Sequence, residues 1–183
     1  INIEEAWDMQ TDCSSVPVSV IDTGVNYQHQ DLKDNIYTNS KERQNADNTI
    51  LLTESRNGID DDSNGYIDDL SGWDFVDNDS NPIPQDADIH GTHVAGIIGA
   101  QGNNGIATSG VCQSATILPL RALNAAGGTP SDVVQAIEYS VDNNAKIINM
   151  SLGEELQSDT PIINSIKTAI DYATTANVLV IAA

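Results

Sequence analysis

Two kinds of apolar run alternate along the 183 residues. Residues 16–21, 116–120, 145–152 and the run from 178 are short, continuous and rich in Val, Ile and Leu, as strands buried on both faces are. Between them the apolar positions recur at helical spacing: Val133, Val134, Ile137 and Val141, then Ile162, Ile163, Ile166, Ile170 and Ala173. Both stripes open on a helix-start signature. Thr129-Pro130-Ser131-Asp132 reads as N-cap, proline at the first helical position and an acid at the third, and Thr160-Pro161 repeats the cap and proline. Strand and helix in alternation predict an α/β fold with a doubly wound parallel sheet, whose working site lies at the carboxyl ends of the strands. Asp22 and Ser151-Leu152-Gly153 fall at such ends. No internal repeat or linker breaks the pattern, so residues 1–183 read as part of a single domain, with residues 35–70 as a loop-rich elaboration.

Charge changes the picture. Seven Lys and Arg against 27 Asp and Glu give a net charge of −20, which excludes nucleic acid and anionic membrane as partners. Eleven of the acids and a single base, Arg56, lie within residues 54–88, so this stretch carries half of the net charge. Such a run is ordinarily a solvated or disordered loop. Here Tyr66, Ile67, Trp73 and Phe75 are interleaved with Gly and Asn, and repulsion among the carboxylates would loosen the loop without a cation. Asp60-x-Asp62-x-Asn64-Gly65-Tyr66-x-Asp68 has the spacing of a calcium loop, with ligands at positions 1, 3, 5, 7 (a backbone carbonyl, Tyr66) and 9, and glycine at 6. The Glu of position 12 is replaced by Ser71, with Asp69 close by, so a full EF-hand is not expected. Oxygen donors without thiolates select Ca²⁺ over Zn²⁺. No run of 18 apolar residues exists to span a membrane. The chain opens on Ile1 without a leader-like segment and ends inside a strand-like run, which reads as a piece of a longer protein.

The candidate chemistry lies in Val20-Ile21-Asp22-Thr23-Gly24 and Asp88-Ile89-His90-Gly91-Thr92-His93-Val94-Ala95-Gly96. An aspartate closes a strand and a histidine opens a helix among residues small enough for close approach. Asp before His is two-thirds of a triad in the order Asp, His, Ser. Two rival readings are weaker. Asp-Thr-Gly also marks aspartic peptidases, which need a second copy that is absent. His90-x-x-His93 could start a zinc site, but no third ligand stands at a telling spacing. His93 is expected to face inward as a packing residue.

These motifs, followed in order by Ile147-Ile148-Asn149-Met150-Ser151-Leu152-Gly153, resemble those of the subtilisin-like serine peptidases, over nearly the whole chain and corresponding to the N-terminal half of the catalytic domain. The resemblance implies Asp22 as triad acid and His90 as general base. It implies two edges between which a polypeptide substrate adds as a strand: Gly127-Gly128-Thr129 on one side and Ser151-Leu152-Gly153 on the other. No Gly-Thr-Ser-Met-Ala motif occurs, so the nucleophile and the oxyanion asparagine are expected beyond Ala183. The remaining half of the domain then becomes a required partner, and this chain alone is expected to be inactive. The run from Trp73 to Asn81 resembles the calcium loop of thermitase-like members and implies Asp74, Asp77, Asp79 and Asn81 as further ligands. Asp31 with the loop Asn103-Asn104-Gly105-Ile106 resembles the family's strong calcium site, to which an N-terminal arm adds a ligand. The family's sheet sets the strands after Cys13 and Cys112 side by side, which implies a disulfide suited to a secreted protein; two buried free thiols are the other reading. A non-catalytic calcium-binding or pseudo-peptidase fragment is the alternative function.

Overall fold

The computed structural model describes residues 2–42, 56–85, 87–153 and 161–182. Five strands form one sheet: β1 (Val18–Asp22), β2 (Trp73–Asp74), β3 (Ile117–Arg121), β4 (Ile147–Met150) and β5 (Leu179–Ala182), in the order β2-β3-β1-β4-β5 with every pairing parallel. The helices are α1 (Ile3–Trp7), α2 (His90–Gly99), α3 (Pro130–Asp142) and α4 (Pro161–Thr175), with 3-10 turns at Lys33–Asn35 and Ser40–Glu42. Every strand expected from an apolar run is present, within two residues at each end; β4 starts two residues late and stops two early. Two elements carry no periodic signal. α1 is five residues long, and β2 is a pair of residues drawn into the sheet by Leu120 and Arg121 of β3. The acidic stretch therefore supplies an edge strand to the sheet.

Alternation along the strands sorts the core onto two faces. Val20 and Ile117 pack with Ala95 of α2, Val25 and Leu32 on one side. Ile21, Leu118, Leu120 and Ile148 pack against Val133, Ala136 and Ile137 of α3 and Ala169 and Ala173 of α4 on the other. Each fully buried Ile or Leu here contributes about 1.5–3 kcal/mol. Ser19 reaches the same face as Ile21, where its hydroxyl lies 2.7 Å from that of Ser140. Thr129 caps α3: its hydroxyl accepts from the Asp132 N–H and the Asp132 carboxylate accepts from the Thr129 N–H, which is the box the sequence predicts. The sheet's far edge is different. Leu179 and Ile181 of β5 are 58% and 45% exposed, and only Val180 of that strand packs against the core.

Cys13 and Cys112 form a disulfide, with Cα atoms 6.1 Å apart. They lie just before β1 and β3, which pair directly, so adjacent parallel strands bring the two together. Among the described residues, no helix is long and apolar enough to cross a membrane.

Candidate active site

Asp22 is the last residue of β1 and is fully buried. His90 is the first residue of α2, and its Nδ1 lies 2.8 Å from Asp22 Oδ1 across 68 positions of sequence. The same oxygen accepts the Thr23 N–H at 2.7 Å, while Oδ2 is buried without a hydrogen-bond partner among the described residues. Local sequence makes this approach possible. A β-carbon on Gly91 would lie 2.4 Å from the Gly24 carbonyl oxygen and 2.9 Å from Asp22 Cβ, so any larger residue would push α2 off the strand. The contact continues beyond the pair. Gly91 N–H donates to the Thr23 hydroxyl at 3.1 Å, and Asn26 N–H donates to the Thr92 hydroxyl at 2.9 Å. Helix and strand end are thus joined at three successive levels.

The hydrogen bond and charge of Asp22 hold the His90 imidazole above its ordinary range; partial burial opposes this and the charge of Asp88 adds to it. The His90 side chain is half exposed, so a ring anchored at Nδ1 keeps contact with solvent. His93 does not face inward as its sequence suggests. It is exposed and lines a mostly apolar groove of about 570 Å³ with Trp7, Ile89 and Ile97. Helical geometry explains the difference. The buried face of α2 is Gly91, Ala95 and Gly99, and His93 lies roughly opposite Gly91 around the axis.

In the sheet β1 lies between β3 and β4, so the segments that follow those two strands flank the carboxyl end of β1. Gly127 pairs with Asn124 through two backbone bonds of 2.9 Å and adopts φ +101°. Gly128 lies so close to Ala122 that a β-carbon would come within 2.3 Å of its carbonyl oxygen. Thr129 then caps α3. On the other side Ser151 receives a bond from the Asn149 amide at 3.0 Å, and Ser151, Leu152 and Gly153 all retain solvent access.

Among the described residues, the candidate calcium ligands separate into three environments. In the first, one carboxylate oxygen each of Glu42, Asp60 and Asp62 lie within 4.8 Å of one another. Glu42 is fully buried and accepts the N–H groups of Asp62 and Asp68. Asp60 accepts from Asn64 and Gly65 N–H, and the Asn39 amide donates to both Asp62 and Asp69. The Asn64 amide donates to Asp69, whose carboxylate also takes the Tyr139 hydroxyl of α3 at 2.5 Å. The Asp68 carboxylate, outside the trio, accepts the N–H groups of Asn57 and Gly58, and the Tyr66 ring packs edge-on against Trp73, Phe75 and Tyr139. Burial raises the carboxyls of Glu42 and Asp69 above the ordinary range, and neighbouring acids add to the rise. The sequence does not reveal Glu42, because a carboxylate 18 positions before Asp60 shares no spacing with the loop.

In the second environment Arg121, at the end of β3, is ion-paired with Asp74 at 2.6 Å and with Asp77. Asp79 accepts the Asn81 N–H at 2.8 Å, and the Asn81 side chain meets the Tyr27 hydroxyl. In the third, buried Asp31 accepts from the Asn104 amide at 2.7 Å, while the Asn103 amide turns to Gln113. Of the two asparagines, Asn104 is the one that meets Asp31.

With this geometry in hand, the comparisons with known proteins agree on one family. A family model described as the subtilase family matches residues 14–183. Thermitase of Thermoactinomyces vulgaris is 32% identical over 184 residues, covering all of this chain and 51% of that protein. Subtilisin-like protease 1 of Plasmodium falciparum (isolate 3D7) is 41% identical over 138 residues, covering 75% of this chain and 18% of that protein. Among solved structures, a protease from Pseudoalteromonas arctica PAMC 21717 superposes with a TM-score of 0.72 at 26% identity, over 99% of this chain and 52% of the other. The chain thus spans about half or less of the length of these relatives. Matched along nearly all of its own residues, it belongs to the subtilase family.

Proposed function

We propose that the protein of which this chain forms part is a serine endopeptidase that hydrolyses polypeptides, with Asp22 as the orienting acid and His90 as the general base. The observation that carries this reading is the 2.8 Å contact of His90 Nδ1 with the buried Asp22 carboxylate. Asp22 fixes the tautomer that keeps the proton on Nδ1 and leaves Nε2 free to accept one. A serine hydroxyl, contributed from outside these residues, gives its proton to Nε2 as its oxygen adds to the substrate carbonyl. The imidazolium, stabilised by Asp22, then returns the proton to the leaving amine. The segments Gly127–Thr129 and Ser151–Gly153 flank Asp22 and would receive an extended peptide as an added strand.

Calcium would hold the acidic region. The donor set at Glu42, Asp60 and Asp62 is all oxygen and its carboxyls are close enough to need a counter-charge, so it fits a hard cation. There the ion would neutralise carboxylates and take no part in the reaction. At Asp74 and Asp77 the guanidinium of Arg121 already balances two charges, so a cation bound there through Asp79 and Asn81 would be held more weakly. Asp31 and Asn104 make a third oxygen-lined candidate. Secretion is consistent with the disulfide.

The test is covalent labelling of the full-length protein by a fluorophosphonate, alongside hydrolysis of a fluorogenic peptide. Labelling that His90→Ala abolishes supports the assignment. A full-length protein that neither labels nor cleaves is instead the pseudo-peptidase or calcium-binding fragment.

A further inference from the structure

The first turn of α2 has to satisfy its free N–H groups, and the residue that leads into it cannot help. Ile89 occupies the N-cap position, with φ −97° and ψ 14°, and its side chain makes no capping bond. Asp88, one residue earlier, takes over: its Oδ1 accepts the His90 backbone N–H at 3.0 Å. Its carbonyl oxygen lies 3.5 Å from the Thr23 hydroxyl, the same hydroxyl that accepts from Gly91 N–H. Asp88 therefore touches both parts of the joint at once, the backbone of His90 and the residue next to Asp22. Resting on the functional reading above, we propose that Asp88 is a positioning residue: its carboxylate pins the His90 backbone so that the imidazole stays registered on Asp22.

Geometry and charge act through different atoms and can be separated. Acceptance of the His90 N–H needs an oxygen but no charge. The Asp88 carboxylate also favours the imidazolium by direct attraction of opposite charges. Among the described residues, Asp22 from β1 and Asp88 from the approach to α2 are the charged groups that bear on the ring. Asp88→Asn keeps the acceptor and removes the charge, while Asp88→Ala removes both.

The experiment measures kcat, KM and the pH profile of kcat/KM for the full-length protein and both variants on one fluorogenic peptide. Asp88→Ala is expected to lower kcat about tenfold with KM within about twofold, as a small displacement of a catalytic group does. Asp88→Asn is expected to recover most of that kcat, with the acid limb of the profile moved to lower pH. A role confined to stability would move neither the limb nor the split between kcat and KM. The proposal is overturned if kcat of Asp88→Ala stays within twofold of the parent, or if Asp88→Asn is no better than Asp88→Ala. Should Asp88→Ala fail to fold, Asp88→Leu, which keeps the bulk and lacks an acceptor, takes its place, and a kcat within twofold of the parent rejects the idea. If the parent itself neither cleaves nor labels, the functional reading has failed separately. The downfield NMR signal of the His90 Nδ1 proton shared with Asp22 then decides for Asp88: its loss in Asp88→Ala with retention in Asp88→Asn sustains the pinning, and an equal signal in parent and both variants rejects it.

Discussion

Two groups of buried acid in this molecule meet opposite electrostatic conditions. At the end of β1, Asp22 is a single carboxylate held by an imidazole that can take positive charge and by one backbone N–H. In the acidic region Glu42 and Asp69 are equally buried but are met by neutral donors, from Asn39, Asn64, Tyr139 and the backbone, with other carboxylates close by. The consequence appears in the direction of each shift. Asp22 raises the proton affinity of its partner, whereas burial raises that of Glu42 and Asp69 themselves. Even Asp74, with Arg121 beside it, is held up because burial outweighs the guanidinium. On the function proposed above, one region would move a proton and the other would receive a cation.

The sharpest way to break the comparison is Asp22→Asn in the full-length protein. The amide keeps the shape of the side chain but favours the wrong imidazole tautomer. Turnover should fall by on the order of 10⁴, by analogy with the same substitution in a Ser-His-Asp peptidase, with the melting transition nearly unchanged. Turnover close to that of the parent would remove Asp22 from the mechanism.

The disulfide tests whether the two regions share a common support. Cys13 and Cys112 are 99 residues apart, so the bond encloses β1, the acidic stretch and α2 in one loop. Replacing both by serine should cost about 2–5 kcal/mol, or on the order of 10 °C in Tm. The response to calcium should persist, because it depends on side chains inside the loop. Loss of that response with the disulfide would mean that the acidic region has no independent structure.

How much could be read beforehand follows from the range of each interaction. The strand runs, the Thr129 capping box and the Asp22 and His90 motifs are local, so spacing reveals them. Glu42 and Arg121 are not local. Each meets acids whose partnership only the folded chain creates, Arg121 because β3 pairs with a two-residue strand that has no pattern of its own. Gly91 stands between these cases, since its smallness was visible but the Gly24 carbonyl it makes room for was not. His93 faces outward against its sequence expectation because a motif gives no phase, and on α2 the phase belongs to Gly91, Ala95 and Gly99.

Removing calcium should separate the regions by a smaller amount. A cation at a hundred times its dissociation constant stabilises by about 2.7 kcal/mol. EDTA should therefore lower Tm by several degrees and speed proteolytic nicking between residues 56 and 85. Glu42→Gln should erase most of that response and leave the chelated protein more stable than the chelated parent, because one repelling buried charge is gone. An equal response to EDTA in parent and variant would exclude Glu42 as a ligand.

The smallest effect concerns His90 and runs against its use in catalysis. Its folded pKa is raised above the ordinary 6.5 by Asp22, so the imidazolium form stabilises the fold. That contribution is fully present below the unfolded value and is lost as pH rises through the raised folded one. The ring is half exposed, and solvent screening keeps the contribution below about 1 kcal/mol. Parent and His90→Gln should therefore differ most in stability near pH 5 to 6 and converge toward about pH 9. Denaturant unfolding at several pH values measures the gap. Activity must follow the reverse course: the base works only when neutral, so kcat/KM climbs through the same raised pKa at which the stabilisation disappears. A stability gap that widened with pH, or an acid limb lying below the ordinary imidazole range, would show that Asp22 does not act on His90 as the 2.8 Å contact requires.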